Sequence, residues 1–389
     1  MTAGEPKGTG EPGIVMRRKG IQLLASGSLV LCCWTSVAWA EPLVLPPVWS
    51  TGQQVQQLTC HAAGEHRRLE VEHLTVASTN VQPLLRKADG RVLFTGEEGY
   101  YRFAALSEVR LSLSRWKLRY AFGVADRFDG DSGAVQLYLG SGDLSQFPSS
   151  DTAVSATMNR SAVNRWTLEH VIPIRRGQEE GWLLLSGSLY LTRRVQQGTL
   201  TGRWQNAQFD GNLLLDTTRG LEPADTRSVG VGFHLALSVP LSEEWRFAFW
   251  GENLLGHVWQ RRVQRITARV LTNTVIPDAD GFLHAAPLLS GRIDTLSREL
   301  SLRRRVTLGL ARRGETGTLL LLASQDAGWE YTLGYASERY WFLFTLPRRE
   351  WQVAYRSGQW ELVLGLSEID PARARHGSVQ LRWAMPVGR

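Results

Sequence analysis

Basic side chains that could line a water-filled passage recur at alternate positions of short apolar segments. These residues are Arg102, Arg110, Lys117, Arg119, Arg203, His234, Arg246, Arg305 and Arg382. The acidic residues at such positions are fewer, namely Glu108, Glu244, Glu330 and Glu361. Rings of charge tune what passes a pore, so this excess of basic residues favours anions or acidic amphiphiles. The alternative is water-facing charge that pairs across neighbouring strands.

Other motifs that could carry chemistry are incomplete. Residues 129–133 contain the Gly-Asp-Ser-Gly string of trypsin-like proteases, but no histidine motif or disulfide framework accompanies it, so a polar turn is favoured. His61, His66 and His73 lack further ligands at metal-binding spacing. We therefore expect no catalytic residue, metal or cofactor. The sequence does not exclude a hydrolase whose serine, histidine and acid come together from distant strands.

The elements that carry the basic side chains are predicted to be β-strands. From Tyr100 onward apolar and polar residues alternate, and the pattern is clearest between Arg305 and Met385. Successive side chains of a strand point to opposite faces, so each segment has an apolar face and a polar, glycine-bearing face. Short joins between the segments predict an antiparallel meander.

The pattern divides the chain into three parts. Residues 1–40 are an N-terminal extension and signal peptide, 41–98 a periplasmic lead-in or small plug, and 99–389 a β-barrel. One or two extra strands are the alternative for 41–98. Residues 135–139 are predicted as a short strand, and 273–302 as a long connection outside the cell. The barrel is predicted to contain about 14–16 strands, with an even number favoured.

An export signal is predicted near the N-terminus. A basic segment beginning at Met16 precedes a mostly apolar run, and Ala38-Trp39-Ala40 is an A-x-A cleavage site. Cleavage after Ala40 removes two of the three cysteines and leaves Cys60, so we expect no internal disulfide. The start at Met1 or Met16 stays open, and a single membrane anchor is the alternative interpretation.

Two all-β folds fit the alternating segments. A closed antiparallel up-and-down barrel that spans a membrane pairs every backbone group and directs apolar residues to lipid and polar residues to a wet lumen. A soluble exported β-protein would bury the apolar face instead. The polar faces repeat Gly, Ser, Thr, Gln, Arg and Glu, which a dry core tolerates poorly, so the membrane barrel is favoured. Scattered arginines do not indicate nucleic-acid binding.

The chain resembles bacterial outer-membrane β-barrels: a predicted signal and a plug-like lead-in precede amphipathic strands over about 290 residues. Asn253-Leu254-Leu255-Gly256, with Trp259 after it, is similar to a periplasmic turn of the fatty-acid and hydrocarbon-uptake barrels and their conjugation-associated relatives. The Asn-Pro-Ala hatch of that family is not visible in the sequence. The resemblance implies a location in the Gram-negative outer membrane and a transport function.

The function expected from the sequence is a porin-like channel or an uptake barrel. Its partners would be outer-membrane lipid, a small solute or amphipathic ligand, and the barrel-assembly machinery. A non-transporting structural or assembly barrel is the second class, and a soluble exported β-protein is the third.

Overall fold

The computed structural model describes residues 43, 45, 47, 49–59, 68–79, 98–138, 151–176, 179–205, 208–218, 228–277, 283–326, 328–368, 370 and 373–387. The predictions for the signal segment, Cys60, His61 and His66 lie outside these residues. Within this part of the chain, no helix is long and apolar enough to cross a bilayer.

The described chain is almost entirely β-strand. Its helices are α1 (Thr51–Thr59) and α2 (Ser132–Tyr138). Its strands are β1 (Arg68–Thr79), β2 (Glu98–Leu113), β3 (Trp116–Asp131), β4 (Thr152–Arg176), β5 (Glu179–Gln205), β6 (Gln208–Thr217), β7 (Ser228–Pro240), β8 (Trp245–Pro277), β9 (Leu283–Ser301), β10 (Arg305–Arg313), β11 (Thr318–Gln325), β12 (Trp329–Ala336), β13 (Tyr340–Leu346), β14 (Glu350–Ser357), β15 (Trp360–Leu366) and β16 (His376–Pro386).

These strands close into an antiparallel up-and-down barrel of 14 strand positions. β6 and β7 lie end to end between β5 and β8, because β5 pairs with β6 through its C-terminal part and with β7 through its N-terminal part. β9 and β10 likewise share one position beside β8. β1 pairs with β16 and closes the barrel, whereas β9 pairs only with β8 among the described strands. The predicted fold class and strand number are confirmed.

The two ends of the barrel differ. Short turns such as 114–115, 314–317 and 358–359 lie at one end, called here the turn end. The opposite, long-strand end carries the extensions of β4, β5 and β8, which are 25, 27 and 33 residues long. About 9–11 tilted residues suffice for a strand to cross a bilayer, so these three strands project well beyond one.

The outer face of the barrel is apolar and its inner face is polar. Leu364, Val353 and Leu381 point outward and are 50%, 51% and 44% exposed. The alternating positions Glu361 and Arg382 point inward and are 3% and 4% exposed. Exposed leucines on the outside and buried arginines on the inside of one sheet are the reverse of a soluble sandwich and define a membrane-spanning barrel.

Three predictions about the chain's organisation are wrong: where the barrel begins, one long connection and one short strand. The barrel begins at β1, not at residue 99, because Arg68–Thr79 pairs with both β2 and β16. The predicted connection 273–302 is mostly the β8–β9 hairpin, whose ladder runs up to Pro277 and Leu283. Residues 135–138 of the predicted strand 135–139 lie in helix α2, which begins where Asp131 Oδ1 accepts the Gly133 N–H at 2.8 Å. This contact is an N-cap, and it explains the Asp-Ser-Gly string without a catalytic serine.

Candidate functional site

The interior of the barrel is occupied by an N-terminal segment. Its described residues lie between Leu43 and Thr59, and we call this segment the plug. Leu43 pairs with the wall through its N–H to the Ser301 carbonyl (3.0 Å) and its carbonyl to the Arg303 N–H (3.3 Å). The backbone N–H of Trp49 donates to Glu252 Oε1 at 3.2 Å. Helix α1 then lies toward the turn end, where Leu58 and Thr59 border the β7–β8 and β10–β11 turns.

Helix α1 combines an apolar contact surface with four glutamines. Val55 and Leu58 are buried against inward residues of the wall such as Trp250. The wall accommodates the helix at Gly309, where a side-chain Cβ would lie 2.9 Å from Leu58 Cδ1. The hydrophobic effect has no directional preference, so the directional hydrogen bonds of the glutamines define the orientation of the helix.

The four glutamines bond to four different strands. Gln53 Nε2 donates to Glu72 of β1 at 2.5 Å, and Gln54 Nε2 reaches Thr307 of β10 at 3.5 Å. Gln57 Oε1 accepts from Trp250 Nε1 of β8 at 2.5 Å, and Gln56 Oε1 accepts from Arg382 of β16. The contacts with Thr307 and Trp250 join neutral groups and contribute about 0.5–1.5 kcal/mol net each, whereas those with Glu72 and Arg382 involve a charged group and contribute about 1.5–3 kcal/mol each. The plug is therefore held by many modest contacts rather than by one strong pair.

A network of buried ion pairs joins β2, β3 and β4 on the inner face of the wall beside the plug. Arg119 is fully buried and donates to Glu108 Oε2 at 2.6 Å and to Glu169 Oε1 at 2.7 Å. Arg165 Nη2 donates to Glu108 at 3.1 Å, and its Nη1 donates to the Pro47 carbonyl of the plug at 3.0 Å. Arg165 therefore couples the plug to the network.

The network continues around the barrel through Glu70. Arg110 bridges Glu70 (2.9 Å) and Glu108 (3.0 Å), and Arg382 donates to the other oxygen of Glu70 at 2.9 Å. Buried carboxylates that each contact two or more guanidinium groups retain their charge without water. This part of the interior is filled by paired side chains and is not an open aqueous pore.

A bulge in β8 interrupts the wall at Asn253, whose φ is 51°. The backbone N–H of Asn253 donates to His234 Nδ1 at 2.9 Å, and its side-chain amide donates to the Arg303 carbonyl at 3.1 Å. Tyr190 Oη donates to Asn253 Oδ1 at 2.7 Å. These side chains replace ladder bonds that the extra β8 residues displace. The predicted periplasmic turn at 253–256 is wrong, because these residues lie within β8. An Asn-to-Gly stretch suits a bulge as well as a turn.

A cavity of about 230 Å³ lies between the plug and the wall toward the long-strand end. Five arginines border it: Arg102, Arg127, Arg303, Arg305 and Arg348. Asp326, in the turn after β11, lies 2.6 Å from Arg303 Nε and 2.9 Å from Arg305 Nη2. Burial raises the pKa of Asp326, but the charges of Arg305 and Arg303 outweigh it and hold that pKa well below its ordinary value.

The structure places the nine basic residues singled out from the sequence in distinct settings. Arg110, Arg119 and Arg382 belong to the ion-pair network, and Lys117 lies directly opposite Glu169 on the adjacent strand. Arg102 and Arg305 border the cavity.

The remaining three lie apart from one another. His234 is buried at the bulge, and Arg246 is buried near the turn end, where it donates to Ser238 Oγ at 3.2 Å. Arg203 is 64% exposed on the β5 extension and faces Asp151 at 3.4 Å. Of the acidic residues, Glu108 is central to the network, whereas Glu244 is exposed in the β7–β8 turn.

Several interior residues were not identified from the sequence. Glu70 and Glu72 alternate with Val71 in a segment that was assigned to the lead-in, and the same alternation rule would have found them. Arg303 and Arg348 lie outside the strands, so no periodicity points to them. The glutamines of α1 carry no distinguishing sequence pattern.

Among the described residues, His73 Nδ1 lies 2.9 Å from Ser107 Oγ at an exposed position, and two buried clusters also bring a serine close to a histidine, as a hydrolase would require. Ser188 Oγ lies 2.8 Å from His234 Nε2, but Nδ1 of that ring accepts the Asn253 N–H, so the ring proton resides on Nε2. That nitrogen cannot take a proton from Ser188. Ser378 Oγ donates to Glu350 at 2.9 Å, and Glu350 also contacts His376 Nε2 at 2.7 Å. This serine contacts the acid rather than the base, so neither cluster has the order of a catalytic triad.

No protein-family model and no curated protein matches the chain. Among solved structures, the chain is similar to the toluene transporter TodX of P. putida, with 9% identity, TM-score 0.44, and coverage of 84% of this chain and 91% of that chain. It is also similar to the translocator domain of autotransporter NalP from Neisseria meningitidis (10% identity, TM-score 0.33, coverage 83% and 88%). A third match is the siderophore receptor PirA from Acinetobacter baumannii (7% identity, TM-score 0.20, coverage 83% and 81%).

Proposed function

We propose that the protein is a Gram-negative outer-membrane barrel, exported with a signal cleaved after Ala40, that takes up small solutes or amphipathic ligands. The observation that carries the proposal is the combination of an apolar outer face with a cavity between the plug and a polar inner wall. A barrel that only anchored itself in lipid would need the first feature but not the second. Insertion would involve outer-membrane lipid and the barrel-assembly machinery.

The conformation described is closed. The plug is anchored at Leu43, Trp49 and α1, and Arg165 ties it to the buried ion pairs. Passage of a solute therefore requires that the plug shift. Its contacts are mostly single hydrogen bonds, and such bonds exchange for water at modest net cost once water enters.

Planar-bilayer conductance tests the proposal. The double variant Val55→Asp and Leu58→Asp places two carboxylates against the apolar wall cluster and should displace α1. We expect little current from the wild-type protein and at least a tenfold increase from this variant. Leu241→Asp, a matched change at a 51%-exposed turn residue, should leave the current unchanged.

A non-transporting structural barrel is the second candidate, and the filled interior favours it. Folded state would be verified by heat-modifiable gel mobility. A correctly folded double variant without current or solute flux would contradict the uptake proposal and support the structural barrel.

A further inference from the structure

Among the described residues that border the cavity beside the plug, five are arginines and three are acidic, and one of the three, Asp126, contacts Arg160. Arg303 and Arg305 contact Asp326, Arg127 contacts Asp129, and Arg348 contacts Glu330. Arg305 also reaches Glu252 at 3.5 Å. Within the described residues Arg102 has no carboxylate inside 4 Å, and its Nε is buried without a hydrogen-bond acceptor.

The register of the sheet makes this arrangement unfavourable without a counter-charge. Arg102 and Arg127 are directly opposite each other on β2 and β3, and both face the interior. Like charges at directly opposed positions of an antiparallel pair repel each other. The charge of Arg348 adds to this repulsion. Asp129 and Asp326 attract Arg102, but Asp129 is paired with Arg127 and Asp326 is shared by Arg303 and Arg305.

The other contacts of Arg102 position it without neutralising it. Its guanidinium carbon lies 5.0 Å from the centre of the Tyr100 ring, a cation–π contact that fixes the plane of the group. Planar guanidinium groups bind carboxylate and phosphate oxygens in pairs of parallel hydrogen bonds. The cavity is small, and Leu74 and Val76 form part of its wall, which leaves space for only a few carbon atoms beside the anionic group.

We infer that this cavity is a binding site for a small oxyanion, a carboxylate or phosphate, with Arg102 as its principal ligand and Arg127 and Arg348 beside it. The inference deepens the proposed function, because it names the chemical class of the solute. Binding to detergent-solubilised protein does not require passage across a membrane. A failure of this inference can therefore be distinguished from a failure of the uptake proposal.

Isothermal titration calorimetry with succinate and with inorganic phosphate tests the site, and glycerol serves as the uncharged comparison. We expect the folded wild-type protein to bind at least one of the two anions and not glycerol. Binding of succinate alone identifies a carboxylate site, binding of phosphate alone identifies a phosphate site, and either result supports the inference. Folded protein that binds neither anion overturns it.

Variants assign the binding to Arg102. Arg102→Gln should weaken the affinity at least tenfold, and Arg348→Gln, in the turn across the cavity, at least threefold. Arg203→Gln, the same change at an exposed arginine of the β5 extension, should have no effect. Heat-modifiable mobility verifies the fold of each variant, and Arg348→Gln carries the test if Arg102→Gln does not fold. Affinity equal to that of the wild type in a folded Arg102→Gln or, failing that, Arg348→Gln protein overturns the inference.

Discussion

His234 Nδ1 accepts the backbone N–H of Asn253 at 2.9 Å, at the point where β8 bulges out of the barrel ladder. The same ring approaches Ser188 Oγ through Nε2 at 2.8 Å and packs edge-on against Trp49 of the plug, with ring centres 6.0 Å apart. A histidine that alternation alone assigns to a wet passage therefore closes a gap in the wall and supports the plug.

Replacement of His234 by phenylalanine should destabilise the barrel. Phenylalanine keeps most of the ring volume, but the buried Asn253 N–H loses its acceptor and Ser188 loses a partner. Leaving such a group unsatisfied costs about 1–3 kcal/mol. Urea unfolding in lipid vesicles, followed by tryptophan fluorescence and gel mobility, measures the change in free energy of unfolding. His257→Phe, on the outer face and half exposed, is the control; it removes only the exposed contact with Glu299 and should change the free energy of unfolding by less than about 1 kcal/mol. Equal stabilities of the two variants would contradict the role given to His234.

Arg119→Met should be more damaging, because it leaves Glu169 buried without the guanidinium that balances it. Breaking a buried ion pair by removing one partner costs about 3–5 kcal/mol. The same unfolding assay measures this loss. Arg203→Met removes an exposed arginine and should lie within about 0.5 kcal/mol of the wild type. Adding Glu169→Gln to Arg119→Met should recover part of the loss, and absence of recovery would count against the pairing.

Leu364→Arg tests whether the outer face contacts lipid. Leu364 is in the middle of β15 and 50% exposed, so an arginine there would enter the hydrocarbon region. Arginine near the bilayer midplane of a barrel costs about 2–4 kcal/mol, and near the interface about 0–1 kcal/mol. The free energy of unfolding in lipid vesicles is the measurement, and Glu338→Arg, in the β12–β13 turn, is the comparison. Equal stabilities in lipid would refute the membrane-facing assignment.

The alternation of apolar and polar residues is sufficient to assign the two faces of a strand where the strand is regular. The segments between Arg305 and Met385 were assigned with the correct faces, because the two-residue period of a strand is a local property of the backbone. It failed in β8, where the extra residues at Asn253 shift the register and the local composition matches that of a turn. It also failed at residues 135–138, which are too few to distinguish a strand from the capped helix α2.

The sequence by itself determined that the chain is an all-β protein whose strands have one apolar and one polar face, with about 14–16 strands. Only the tertiary structure decided which face meets lipid, because that depends on closure of the sheet through the pairing of β1 with β16. It alone also decided the contacts of the plug and the group of arginines around Arg102. Those side chains come from strands and turns far apart in the sequence, and no local period records which of them meet.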